Sequence, residues 1–148
     1  MPRSNLAIEL ERQMTRLVDE QIADYENDIK LLMTDVHEDI LQNSPVWTGY
    51  YKSNHTIVLR RFNGTLKTQG FNLSPQVKES EEPGFYVGNI DSRAATEREK
   101  IDLFEAGDSV EVTNAVEYAG EIETRSDGKG QVYANAAAKF GLKYHGNR

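Results

Sequence analysis

The chain has no cysteine and only three histidines, His37, His55 and His145. It therefore has no disulfide framework, no thiolate metal site and no cysteine nucleophile, and offers little for a histidine-rich metal centre. No apolar run approaches the roughly 18 residues a membrane-spanning helix needs. The opening MPRSNLAIELERQ lacks the apolar core of a signal peptide. These absences predict a protein made and kept in the cytoplasm with no membrane partner. The Asn-x-Thr/Ser triplets at Asn54, Asn63 and Asn72 are then chance matches rather than glycosylation sites.

Positive charge is also scarce where it would matter. The 148 residues carry a net charge of −7, and residues 5–43 account for all of it, with ten acidic side chains against three basic ones. Proteins that grip nucleic acid neutralise phosphates with clustered Lys and Arg. No basic stripe occurs here, which argues against sequence-specific DNA binding. Recognisable catalytic patterns are missing too. Asp127-Gly128-Lys129-Gly130 faintly resembles a phosphate loop but lacks its glycine spacing and its following Ser or Thr. There is no run of alternating acids for calcium, no G-x-S-x-G elbow and no H-E-x-x-H pair. The sequence predicts neither a metal nor a cofactor, and no enzyme.

What is present begins with a stretch free of proline and glycine from Asn5 to Asn43. Apolar residues recur there at Leu10, Met14, Val18, Ile22, Tyr25, Ile29, Leu32, Val36 and Ile40. Steps of three and four mark one face of an α-helix. Ser4 is its candidate N-cap. A helix over 5–43 would reach about 58 Å, more than a single domain of this size needs, so part of it can serve a subunit contact. Asn43-Ser44-Pro45 ends it.

Beyond the helix, a β-hairpin is expected over 55–71, since Asn63-Gly64 between two β-prone runs is a strong hairpin signal. Residues 72–84, polar with two prolines, read as a mobile loop. Phe85–Ile90 suggests a third strand. A helix is expected over the run from Ser92, its candidate cap, to Gly107, and another strand over 109–115. VEYAGEIE suits a short helix, and residues 131–144 either a closing helix or an extended arm. One α+β domain over 1–148 follows: a long N-terminal helix packed on a small antiparallel sheet with shorter helices.

Two blocks stand out. The first, SPVWTGYYKSN, gathers Pro45, Trp47, Thr48, Gly49, Tyr50, Tyr51 and Asn54. Large aromatics at a chain reversal close a core or anchor an interface. The second, VEVTNAVEYAGEIE, holds Thr113, Asn114, Tyr118, Ala119 and Glu123. Together and in this order, the blocks resemble the Ser-Pro-Val-Asp-Thr-Gly box and the Thr-Asn, Pro-Tyr-Ala, Leu-Glu box of neck proteins of tailed bacteriophages. These are the head–tail joining or tail-completion proteins. The resemblance covers most of residues 1–135. Pro45, Thr48, Gly49 and Asn54 fall on the first box, and Thr113, Asn114, Tyr118, Ala119 and Glu123 on the second. Trp47 stands where the family has an acid, which implies a different contact at that corner. Glu117 replaces a proline, and the family's following Ala-Pro-Gly segment is reduced to SDGKGQVY.

The resemblance implies a structural virion protein. It would form a ring, most often of six copies, between the portal-side connector or head-closure protein and the tail tube or tail terminator, with a channel through which DNA passes. An acidic helix facing that channel would repel phosphates. Loop 72–84 and the tail after Gly130 are the segments expected to order on docking. The residues themselves leave two other readings open. One is an α+β adaptor or regulator that dimerises through its long helix. The other is a hydrolase using His55 with Glu117 or Glu123.

Overall fold

The computed structural model describes residues 2–68, 82–125 and 130–145, with side chains from residue 16 onward. The fold is α+β, as expected. Helix α1 runs from Pro2 to Asn43, starting two residues ahead of Ser4 and reaching about 63 Å in length. Among the described side chains of α1, packing is confined to its second half. Met33, Val36, Ile40 and Leu41 are buried, together with His37 and Asp39, whereas residues 16–25 are exposed throughout. The body touches the helix near Tyr25, whose ring lies 6.3 Å from that of Phe104. One residue on, Glu26 Oε1 accepts the Ala106 amide at 3.4 Å.

A single turn, α2 (Tyr50–Ser53), leads into strand β1 (His55–Arg60), which pairs antiparallel with β2 (Ser109–Asn114). The register sets His55 opposite Asn114 and Arg60 opposite Ser109. Between the strands lies α3 (Ile90–Ile101), and after them come α4 (Ala119–Thr124) and α5 (Val132–Phe140). The core has two parts. Val36, Ile40, Tyr51, Ile122, Val132 and Ala136 form one cluster, and Met33, Ile57 and Ile101 the other. Both lean on the same stretch of α1.

Several expectations need correcting. The Asn63-Gly64 turn forms, with Gly64 at φ 87°, but the arm after it forms no named strand: it holds the end of β1 by an Arg60–Leu66 bridge and bonds to Arg61 and Leu59 before the described residues pause at 68. The partner of β1 along its length is instead β2, far away in sequence. Phe85–Ile90 is not a strand. Residues 83–86 turn, Val87–Asn89 form a 3-10 helix and α3 starts at Ile90. Gly84 at φ 75° and the Val87 amide bonding back to its carbonyl close a turn that a strand cannot accommodate. Asn89, rather than Ser92, occupies the N-cap of α3. Residues 132–140 are already helical, so the tail after Gly130 is not an arm that lacks structure before docking. Of the expected loop, 72–81 lie outside the described residues, as do 126–129.

The outer edge of β1 is closed by side chains. Glu97 of α3, buried, accepts the Ile57 amide at 2.9 Å and holds Lys100 Nζ at 2.7 Å. Thr68 Oγ1 accepts the Leu59 amide, and the Lys67 amide donates to the Leu59 carbonyl. Arg93 Nε bonds the Ser53 carbonyl at 2.7 Å. A charged helix laid along a strand edge prevents further strands from adding there.

Candidate functional site

The two sequence blocks meet in one corner, because β1 follows the first block and β2 opens the second. Pro45 sits just past α1, which ends at Asn43 with the Ser44 amide bonding the Leu41 carbonyl. Thr48 is buried, and its Oγ1 accepts the Tyr50 amide at 3.1 Å, starting α2. Gly49 has φ 91°, and a Cβ there would stand 2.9 Å from the Val87 nitrogen. Both the dihedral and the space demand glycine. Thr48-Gly49 is thus the turn that aims the chain into α2 and β1.

Asn54 and Asn114 knit the blocks together. Asn54 Nδ2 donates to the Tyr50 carbonyl at 2.6 Å, and its Oδ1 accepts Arg93 Nη2 at 3.2 Å. Asn114 Nδ2 donates to the Tyr51 carbonyl at 2.9 Å, while its Oδ1 accepts the Val116 amide at 3.0 Å. Asn114 therefore caps the end of β2 and grips α2 at once. Its neighbour Thr113 is paired with Thr56 in the ladder, and its buried Oγ1 has no hydrogen-bond partner among the described residues. Tyr118 and Ala119 open α4 and pack on the cluster around Val36 and Ile40.

Glu123 has a role that its sequence position does not disclose. Its two carboxylate oxygens accept the amides of Tyr133 and Ala134 at 2.8 and 3.3 Å. These are free donors in the first turn of α5, so a carboxylate from α4 caps a helix that starts nine residues later. The cap is needed because Gln131, at the N-cap position with φ 56°, makes no side-chain cap bond of its own.

Beneath the corner lies a buried polar chain that the sequence did not reveal. His55 Nε2 is 2.7 Å from Ser44 Oγ, and Nδ1 is 2.8 Å from the Tyr133 hydroxyl. Ser44 Oγ donates to the Ile40 carbonyl at 2.6 Å, so it must accept from His55 Nε2–H. Nδ1 is then the acceptor for Tyr133. Burial above all pushes the Tyr133 hydroxyl far above its ordinary range, which keeps it a donor. Burial, with the charges of His37 and Lys52, lowers His55 to about 3. The imidazole is neutral, and its proton already points at the serine. A serine nucleophile needs the reverse, with the base accepting from Oγ. The pair with Glu117 or Glu123 does not form either: Glu123 is engaged at α5, and Glu117 is exposed.

Trp47 is the exception among the motif residues. Its side chain is exposed, although its backbone is fixed by the Gly84 amide at 2.7 Å. With Phe85 and Val87 it crowns the corner, beside a groove of about 300 Å³ lined by Pro45, Thr48, Tyr118 and Ile122. A second cavity of about 520 Å³ runs between α1, β2 and α5. Of its polar lining, Asn114, Glu123 and Tyr133 are all engaged in the bonds described above. Among the described residues, no cluster of His, Asp or Glu could hold a metal ion, and no helix is long and apolar enough to cross a membrane. Comparison of the chain with protein-family models, curated proteins and solved structures finds no match.

Proposed function

We propose that this protein is an architectural part of the neck of a tailed bacteriophage. It assembles as a ring, of six copies by analogy with the family, between the portal-side connector or head-closure protein and the tail tube or tail terminator. DNA passes through the ring without being read. The observation that carries this reading is the convergence of the two resembling blocks. Residues some sixty positions apart lock into one corner through the His55–Asn114 pairing and the Asn114–Tyr51 bond. Pro45, Thr48, Gly49, Asn54, Asn114 and Glu123 each shape backbone there, and Trp47 is left facing outward. The proton order in the Ser44–His55–Tyr133 chain supports a structural role over a catalytic one. The protein is therefore read as a virion component made in the host cytoplasm, and not as an enzyme.

The acidic arm fits that post. Between residues 16 and 28 it carries one arginine and five carboxylates, a net −4, on a helix exposed to solvent. Placed by a channel, such a helix keeps DNA from sticking. Electron microscopy of a lysate in which the gene carries an early stop codon tests the proposal. Filled heads and finished tails lying unattached are expected. Complete, infectious particles would overturn it and favour the dimeric adaptor.

A further inference from the structure

Two apolar surfaces remain exposed, one midway along α1 and one just past its C-terminal end. The first is a stripe on the exposed half of α1: Leu17, Val18, Ile22 and Tyr25 are 41 to 55% exposed. The second is the corner that follows α1, where Val46, Trp47, Phe85 and Val87 are 47 to 69% exposed. The corner is one continuous patch, because the Gly84 and Tyr86 amides bond the Trp47 and Thr48 carbonyls at 2.7 and 2.6 Å. We infer that copies of this chain join head to tail, the α1 stripe of one copy seating on the Trp47 corner of the next.

Three observations point to a second copy as the occupant. The stripe continues the face of α1 that Ile29, Met33, Val36 and Ile40 present to the protein's own core. A face that this protein's body covers over its second half needs a similar cover over its first. The chain's own corner cannot supply it, since Ile22 and Asn43 are about 32 Å apart along the helix. Area agrees as well. Four large apolar side chains on each surface, 41 to 69% exposed, can supply the apolar core that an interface of standard size requires. The groove beside Trp47 gives the large stripe side chains somewhere to insert, and an exposed tryptophan at its rim is the residue type that anchors interfaces.

Charge decides against the simpler pairing of two stripes. Each arm is net −4 over residues 16–28, so two arms packed side by side would bring ten carboxylates together against two arginines. The contact uses two different surfaces, which makes it heterologous. Such contacts repeat in one direction and close into a ring when the rotation permits. The inference thus gives the proposed ring its joint, and rests on that proposal only for closure.

The absence of native cysteine makes the test clean. In the full-length protein, Ile22→Cys and Phe85→Cys are made singly and together, and oxidised at a concentration where the wild type assembles by sedimentation velocity. The double variant is expected to give a ladder of covalent multimers on a non-reducing gel. The two single variants mixed should stop at a one-to-one heterodimer, and neither alone should cross-link above background. Efficient dimers from Ile22→Cys alone, without heterodimers in the mixture, would overturn the inference in favour of arm-to-arm pairing. A wild type monomeric at every concentration, or no cross-linking in any combination, would also overturn it. A second pair guards against a misplaced sulfur. Val18→Glu and Trp47→Ala, each folded by circular dichroism, should separately weaken self-association at least tenfold and together restore a one-to-one complex only. If the ladder forms but stop-codon particles are infectious, the neck reading falls and the contact stands. Unattached heads and tails with no ladder would mean the reverse.

Discussion

The two halves of α1 carry the same apolar rhythm and meet opposite fates. From Ile29 to Leu41 the stripe disappears into the body, against Ile57, Ile101, Ile122 and Val132. From Leu17 to Tyr25 it faces solvent. Periodicity therefore states which face of a helix requires cover, and the number of neighbouring elements decides whether the same chain provides it. Among the described residues the sheet behind α1 is two strands wide, and residues 16–25 of the helix lie beyond its cover.

The sharpest way to break this comparison is acid, because both described buried histidines belong to the packed region. Burial and the Arg98 guanidinium lower His37 to about 4, and burial lowers His55 to about 3. Both folded-state values lie below the ordinary 6.5, so the unfolded chain binds more protons. Stability is then fully present above about pH 6.5 and is lost as pH falls toward 4 and 3. At pH 5 each histidine should cost about 2 kcal/mol. Urea unfolding at pH 7 and pH 5 reads the loss, and equal midpoints would refute the buried neutral state.

Next in size, Ile40→Ala in the packed half should destabilise by about 3 kcal/mol through the cavity it leaves. Glu97→Ala should cost about 2 kcal/mol, since it orphans the Ile57 amide and strips Lys100 of its partner. Faster hydrogen exchange at Ile57 would mark the cause. Glu123→Ala should cost about 1 kcal/mol, concentrated in faster exchange at Tyr133 and Ala134. Smallest of all, Ile22→Ala on the exposed half should shift monomer unfolding by less than about 0.5 kcal/mol. An Ile22→Ala loss as large as that of Ile40→Ala would mean that the two halves do not differ.

Local elements were largely legible, and long-range partners were not. The stripe of α1, the strand at 109–114, α3 and α4 could all be read because each depends on residues close in sequence. Phe85, Tyr86 and Val87 misled for a physical reason. They do alternate outward, inward, outward, with Tyr86 buried between two exposed neighbours, but only the Gly84 and Tyr86 amides reach another segment, while those of Phe85 and Val87 bond back within the turn to Glu82 and Gly84. The hairpin signal at Asn63-Gly64 is right about the turn and silent about β2, which pairs with the opposite edge of β1 from the following arm. In the corner, the two blocks can be picked out as local runs, while the buried Ser44–His55–Tyr133 chain cannot. Its members are 11 and 78 positions apart, and a serine, a histidine and a tyrosine have no spacing rule until the fold brings them together. Glu123 was noticed, but its capping of α5 depends on a backbone that only tertiary structure places.

The antiparallel register carries a consequence for the order of events in folding. Residues 61–108 separate the two strands, so the β1–β2 sheet closes a loop of 48 residues before its first pair can form. Helices α1 and α3 need no such closure and can form on their own timescale. The sheet comes late, and with it the His55–Asn114 pairing and the Asn114–Tyr51 bond. The two sequence blocks therefore meet only after the helices that flank them have formed.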